Sequence, residues 1–284
     1  MPEISPAARL PDPAQTLRRQ ALGVLCLTDA GDKANAARAL FRDFTQADAA
    51  RLGAQDHIAA DATHGIPGRP PRPELVPPQQ VQRRRSLHTD EGRAAMIHAL
   101  CHIEFNAINL AWDAVYRFRG MPFEFYADWI AVANDEARHF SLLERRLADF
   151  GMSYGDLPAH DGLWEMARRT SEHCLERMAL VPRVLEARGL DVTPGMIERL
   201  RAVGDTTTIA ILEQILAEEV AHVAAGTRWF SWCCERAGLD PADTFQQLLQ
   251  RYYHGALKGP FNRRDRLAAG FTPLELDRLD SLVA

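Results

Sequence analysis

The sequence predicts an all-α fold, a four-helix bundle with additional N- and C-terminal helical segments. Three observations predict it. Apolar residues recur at helical spacing from about residue 89 to 236, and two short glycine turns, at Gly120 and Gly204, divide that stretch into two hairpins of long helices. The pattern Glu-x-x-His occurs once in each hairpin, as Glu136-Ala-Arg-His139 and Glu219-Val-Ala-His222, 83 residues apart. A lone glutamate precedes each pattern at almost the same distance, Glu104 by 32 residues and Glu186 by 33.

Taken in order, residues 1–63 form an N-terminal helical extension. Leu17, Ala21, Leu22, Val24 and Leu25 have helical spacing, Gly31-Asp32 marks a break, and Ala36, Ala37, Leu40 and Phe41 resume the pattern. Residues 64–88 form a proline-rich strap, because Pro67, Pro70, Pro71, Pro73, Pro77 and Pro78 remove too many backbone donors for a helix. Arg83-Arg84-Arg85 at its end reads as a solvated or carboxylate-paired run with no function of its own.

Residues 89–236 form the bundle. Thr89, followed by Asp90 and Glu91, caps a first helix that runs to Gly120. A second helix fits 122–150 and stops at Gly151. Glu104 lies 16 residues before Gly120 and Glu136 lies 16 after it, so the hairpin sets them at one level. The third helix, about 163–203, is expected to be bent or split, because Pro182 and the Gly189-Leu-Asp-Val-Thr-Pro194 stretch flank Glu186. The fourth fits 206–237, capped by Asp205 or Thr206, with Glu219 15 residues after Gly204 and Glu186 18 before it. Residues 237–284 read as a C-terminal capping segment containing Tyr252-Tyr253-His254, Gly259-Pro260-Phe261-Asn262 and a short helix from Pro273.

A glutamate and a histidine three positions apart share one helix face, so each motif offers an oxygen and a nitrogen to the same point. Two such motifs plus one glutamate from each of two other helices make the ligand set of dimetal helix bundles. The neighbours one turn away are apolar: Cys101, Ala107 and Ile108 around Glu104, Val132, Ala133 and Phe140 around Glu136, Ile215 and Val223 around Glu219. An ionised carboxylate on a buried face costs several kcal/mol unless a cation meets it, and two divalent ions would balance four glutamates. The predicted metal ligands are therefore Glu104, Glu136, His139, Glu186, Glu219 and His222. Glu172 and Glu176 compete with Glu186, although they lie 47 and 43 residues before Glu219, and Arg183 and Arg188 could hold Glu186 in ordinary ion pairs.

Other polar residues read as support. His98 and His102 are expected to hydrogen-bond around the site or to sit in the core, Asp135 and Glu218 turn away from the motif face, and Trp112, Trp129, Tyr116 and Tyr126 belong to the core. Cys26, Cys101, Cys174, Cys233 and Cys234 lack C-x-x-C spacing and read as buried, reduced thiols; Cys233 and Cys234, as neighbours on a helix, diverge by about 100°.

Composition restricts partners more than chemistry. With 46% hydrophobic and 25% charged residues and a net charge of -5, the chain is ordinary for a globular protein and has no basic surplus for nucleic acid. No stretch approaches the roughly 18 apolar residues of a membrane span, and Met1-Pro2-Glu3-Ile4-Ser5 does not begin a signal peptide, so a cytoplasmic location is expected.

His102 to Leu110, Asp128 to Leu143, Leu185-Glu-Ala-Arg-Gly-Leu-Asp191 and Glu219-Val-Ala-His-Val223 resemble a bacterial family of uncharacterised ferritin-like proteins. The resemblance extends from the proline-rich segment to Pro260-Phe-Asn262 and Ala268-Ala-Gly-Phe271. It implies a ferritin-like bundle with a dimetal centre on the same six residues, and no assigned reaction. The Leu-Glu-Ala-Arg phrase is also similar to the tRNA hydroxylase that modifies isopentenyl-adenosine, although here it continues into Gly-Leu-Asp rather than a longer helical run. Mixed carboxylate and imidazole ligands without thiolate suit two Fe ions, with Mn or a mixed Fe/Mn pair as alternatives. The expectation is an O2-activating oxidase or oxygenase of an unassigned small molecule, with an unassigned electron donor, acting as monomer or dimer. The alternatives are an iron-handling ferroxidase, a tRNA-modifying hydroxylase and a non-catalytic helical scaffold.

Overall fold

In the computed structural model, which describes residues 17–44, 66–81, 86–253 and 257–282, regular structure is helical throughout. The all-α expectation holds: among these residues the only strand-like pairing is one parallel bridge between Leu75 and Ala159. Arg83 to Arg85, His254 and the outer parts of the N-terminal extension lie outside the described residues. None of the described helices is long and apolar enough to cross a membrane. The chain divides into two compact units, one ending at Asp161 and the other beginning at Gly162.

In the first unit, α1 (Leu17–Cys26) buries Leu17, Ala21, Val24 and Leu25, four of the five residues that carry its apolar spacing. The break before α2 (Ala30–Asp43) falls at Leu27 to Asp29, not at Gly31-Asp32. Asp29 is the stronger stop, because its carboxylate accepts the Asp32 N–H at 2.8 Å and caps α2, leaving Gly31 and Asp32 inside the first turn. Helix α3 (Asp90–Arg117) starts where expected, with the Thr89 hydroxyl accepting the Gly92 N–H at 3.1 Å. Gly120 turns the chain at φ 69° into α4 (Phe123–Ala148), which packs against α3, and Gly151 at φ 70° ends the second arm.

Lys33 locks this unit together. Its ammonium, fully buried, donates to Leu25 O at 3.3 Å, Gly68 O at 2.7 Å and Asn109 Oδ1 at 2.5 Å, and lies 5.0 Å from the centre of the Phe105 ring. The contact joins α1, α2, the strap and α3. Gly68 is required there, since a Cβ would stand 2.3 Å from the Cys26 carbonyl oxygen. The strap continues extended to the bridge with Ala159, as its prolines demand, with one 3-10 turn at Pro78–Gln80.

In the second unit, the expected distortion of the third helix takes a specific form. After α5 (Gly162–Arg169) and α6 (Cys174–Leu180), residues Val181–Glu186 form a π-helical turn, then α7 (Ala187–Arg201) follows. Pro182 has no N–H to offer one turn back, and the Ala187 N–H reaches five residues, to Pro182 O. The stretch Gly189 to Pro194 does not break the helix. Pro194 sits inside α7, and Leu190 O, which its missing N–H would have bonded, accepts Asn262 Nδ2 at 3.0 Å.

Asp205 caps α8 (Thr206–Ala237), accepting the Thr208 N–H at 3.0 Å, and Gly238 ends it at φ 66°. The C-terminal segment is more helical than expected. It contains α9 (Pro241–Tyr252), α10 (Arg263–Ala268) and α11 (Pro273–Ser281), the last starting in a Thr272/Glu275 capping box. Glu275 also meets the buried Arg183 guanidinium at 2.6 Å, while Phe230, Phe245 and Phe271 surround its Cζ with ring centres 4.2 to 4.6 Å away. The C-terminal helices are therefore part of the core of this unit.

Candidate metal centre

The first hairpin brings three predicted ligands together. Helix α3 carries Glu104, α4 carries Glu136 and His139, and their equal distances from Gly120 place them at one level. His139 Nδ1 lies 3.4 Å from Glu104 Oε2 and 3.5 Å from Glu136 Oε2. One ligand atom from each of the three lies within 4.8 Å of the others. Bonds of about 2 Å to one ion place its ligands roughly 3 to 4 Å apart, so this group could hold a metal ion.

Electrostatics points the same way. The three residues are 4%, 1% and 0% exposed, too dry for solvent to compensate two carboxylates. Burial, and then the charge of Glu136, pushes the Glu104 carboxyl well above the usual carboxylate range. Burial alone would lower the imidazole of His139, but the hydrogen bonds and charges of Glu104 and Glu136 outweigh it and lift it to about 11. The surroundings demand positive charge. A divalent cation meets that demand with the donor set present, two carboxylates and an imidazole without thiolate.

Neighbouring polar residues are committed elsewhere. His98 Nε2 accepts the Gly155 and Leu157 N–H groups at 3.0 and 3.4 Å, and burial holds its pKa down. His102 bonds the Tyr154 hydroxyl at 2.9 Å and His160 O at 3.1 Å, and burial lowers it to about 4. With Nε2–H given to His160 O, its Nδ1 accepts from Tyr154. These histidines pin the loop after α4. Asp135 pairs with Arg138 at 2.8 Å, and Trp112, Trp129, Tyr116 and Tyr126 are buried.

The second unit places its own residues in a similar pairing. Glu219 and His222 are 8% and 2% exposed on α8, with His222 Nδ1 3.6 Å from Glu219 Oε1. Glu186 ends the π turn, half-buried. Its competitors are placed differently: Glu172 is exposed between α5 and α6, and Glu176 accepts from the Tyr252 hydroxyl and from Arg251. The flanking arginines also turn to other acceptors, Arg183 to Glu275 and Arg188 to Lys258 O at 2.6 Å.

Two relationships escaped sequence reasoning. Gly226, one turn beyond His222, leaves room for the Pro182 ring, and a glycine four residues after a candidate ligand was the available signal. The Cys174 thiol at the start of α6 acts on Cys233 and lowers its pKa, a relationship no spacing reveals.

A family model described as "Protein of unknown function (DUF455)" matches residues 26–277. An "Uncharacterized protein" of Haemophilus influenzae is 46% identical over 230 residues, 78% of this chain and 77% of that protein. No solved structure matches the chain.

Proposed function

Because the chain belongs to the DUF455 family, whose description carries no reaction, we propose from ligand chemistry that it is a ferritin-like dimetal-carboxylate oxidoreductase. Its centre is formed by Glu104, Glu136 and His139 together with Glu186, Glu219 and His222. The observation that carries this reading is the buried Glu104, Glu136 and His139 group, in which two carboxylates converge on one imidazole nitrogen. The second Glu-x-x-His pair repeats the arrangement at 3.6 Å.

A pair of Fe ions, or of Mn, held by such ligands supplies O2 activation and the oxidation of a small molecule. The protein's part follows from its residues. His139 gives up its proton when Nδ1 turns its lone pair to a cation, so loading releases protons. Phe105 and Phe140, both buried beside the first hairpin's ligands in sequence, contribute to a dry core around them. Glu186 ends a π turn rather than lying in a regular helix, a distortion frequent at functional sites.

Alanine at Glu136 or His139 tests this reading. Metal measured on the purified variants should fall well below that of the parent and of Asp135→Ala. Unchanged metal in the Glu136 and His139 variants would remove the assignment.

A further inference from the structure

The second unit also contains a cavity of about 220 Å³ that the metal ligands do not account for. The π turn and α7 line it together with Tyr253, Leu257, Lys258 and Phe261. Its volume is below the roughly 300–1,000 Å³ of sites for drug-sized molecules, which restricts it to a small ligand.

Its charges do not cancel. Arg266 is paired with Asp191, at 2.9 and 2.8 Å, and the charge of Arg183 with Glu275 through Nη2, while Arg183 Nε and Nη1 are buried without an acceptor among the described residues. Two cations remain. Arg188 approaches Asp191 only to 3.6 Å and otherwise donates to a carbonyl, and the Lys258 ammonium, exposed at the rim, has no acceptor among the described residues.

Tyr253 adds a third donor. Its hydroxyl oxygen is buried and has no hydrogen-bond partner among the described residues. Burial raises its pKa to about 12, so the proton is present at neutral pH. A buried hydroxyl left without a partner costs about 1–3 kcal/mol, which an acceptor in the cavity would recover. The rest of the lining is apolar, with Val184, Leu257 and Phe261 contributing most of the contact a hydrocarbon body would need.

We propose that this cavity binds a small carboxylic acid with an apolar body, the carboxylate meeting Arg188, Lys258 and the Tyr253 hydroxyl, and the body lying on Val184, Leu257 and Phe261. A carboxylate suits the site better than a phosphate. Three donor groups beside an apolar lining match the two acceptor oxygens of a carboxylate on a hydrocarbon body, whereas a phosphate brings more acceptor oxygens than the donors serve and would set them against Val184, Leu257 and Phe261. Leu185 also lines the cavity and immediately precedes Glu186. Identifying the bound acid as the substrate rests on the dimetal reading, whereas the binding itself does not.

Calorimetry on the full chain with hexanoate, hexanol and hexylamine separates charge from apolar body. Hexanoate should bind one per chain and at least about tenfold more tightly than hexanol, with hexylamine weaker still. Tyr253→Phe and Lys258→Ala should each weaken hexanoate by roughly fivefold while leaving hexanol unchanged. Equal affinity for the three compounds, tighter binding of inorganic phosphate, or hexanoate binding indifferent to both substitutions would overturn the inference. Metal content measured on the same samples keeps the two readings apart: hexanoate binding without metal sinks only the dimetal centre, and metal without hexanoate binding sinks only this site.

Discussion

The Pro182 ring lies against Gly226, so close that a Cβ on Gly226 would stand 2.4 Å from Pro182 Cβ and Cγ. The contact holds the π turn on α8 one turn beyond His222. Gly226→Ala must displace the turn or the helix, and the expected cost is roughly 1–3 kcal/mol by denaturant unfolding. Gly189→Ala and Gly195→Ala serve as controls, since a Cβ at either meets nothing within 4 Å, and each should stabilise the protein by up to about 1 kcal/mol through helix propensity.

Asn262 and Pro194 should couple energetically although the side chain of one meets only the carbonyl that the other leaves open. Asn262→Ala is expected to cost about 1–2 kcal/mol in the parent, including the loss of its cap on α10. In a Pro194→Ala background the helix can satisfy Leu190 O itself, and the same substitution should cost less. A double-mutant cycle measures the difference, and additive effects would show that the two are independent.

These contacts explain which parts of the fold were legible beforehand. The first hairpin was readable because its signals are local: Thr89 as a cap, Gly120 and Gly151 as stops, and equal arm lengths that put Glu104 opposite Glu136. The third helix was readable only in part. Pro182 signalled a distortion, but whether it kinks, breaks or winds into a π turn depends on Gly226, 44 residues away. Gly189 to Pro194 looked like a break because the residue that compensates for it, Asn262, is 72 residues downstream. Lys33 gave no signal at all, since its three acceptors come from α1, the strap and α3.

Lys33 predicts a pH dependence. Burial lowers its pKa from 10.5 to about 7, so between these values the unfolded chain binds more protons than the folded one. Stability from this group therefore rises with pH across that window, and the cost of burying the charge is fully felt below it. Unfolding of the parent and of Lys33→Met at pH 7 and 9.5 should show the parent gaining on the order of 2–3 kcal/mol relative to the variant. A pH-independent difference would contradict the depressed pKa.

Cys233 should owe its reactivity to Cys174. The neighbouring Cys174 thiol, assisted by the charge of Arg236, lowers the Cys233 pKa against the effect of burial. Alkylation of Cys233 by iodoacetamide at neutral pH, followed by peptide mass spectrometry, should slow several-fold in Cys174→Ala. An unchanged rate would show that the pair does not set the thiolate population.

We propose that the two Glu-x-x-His motifs serve one centre that binds two ions side by side. Electron paramagnetic resonance of the protein loaded with two equivalents of Mn(II) tests it most directly. The expected spectrum is that of an exchange-coupled pair, lost on substitution of either Glu136 or Glu219 by alanine. Two isolated Mn(II) signals in the parent, or a coupled spectrum that survives both substitutions, would contradict it.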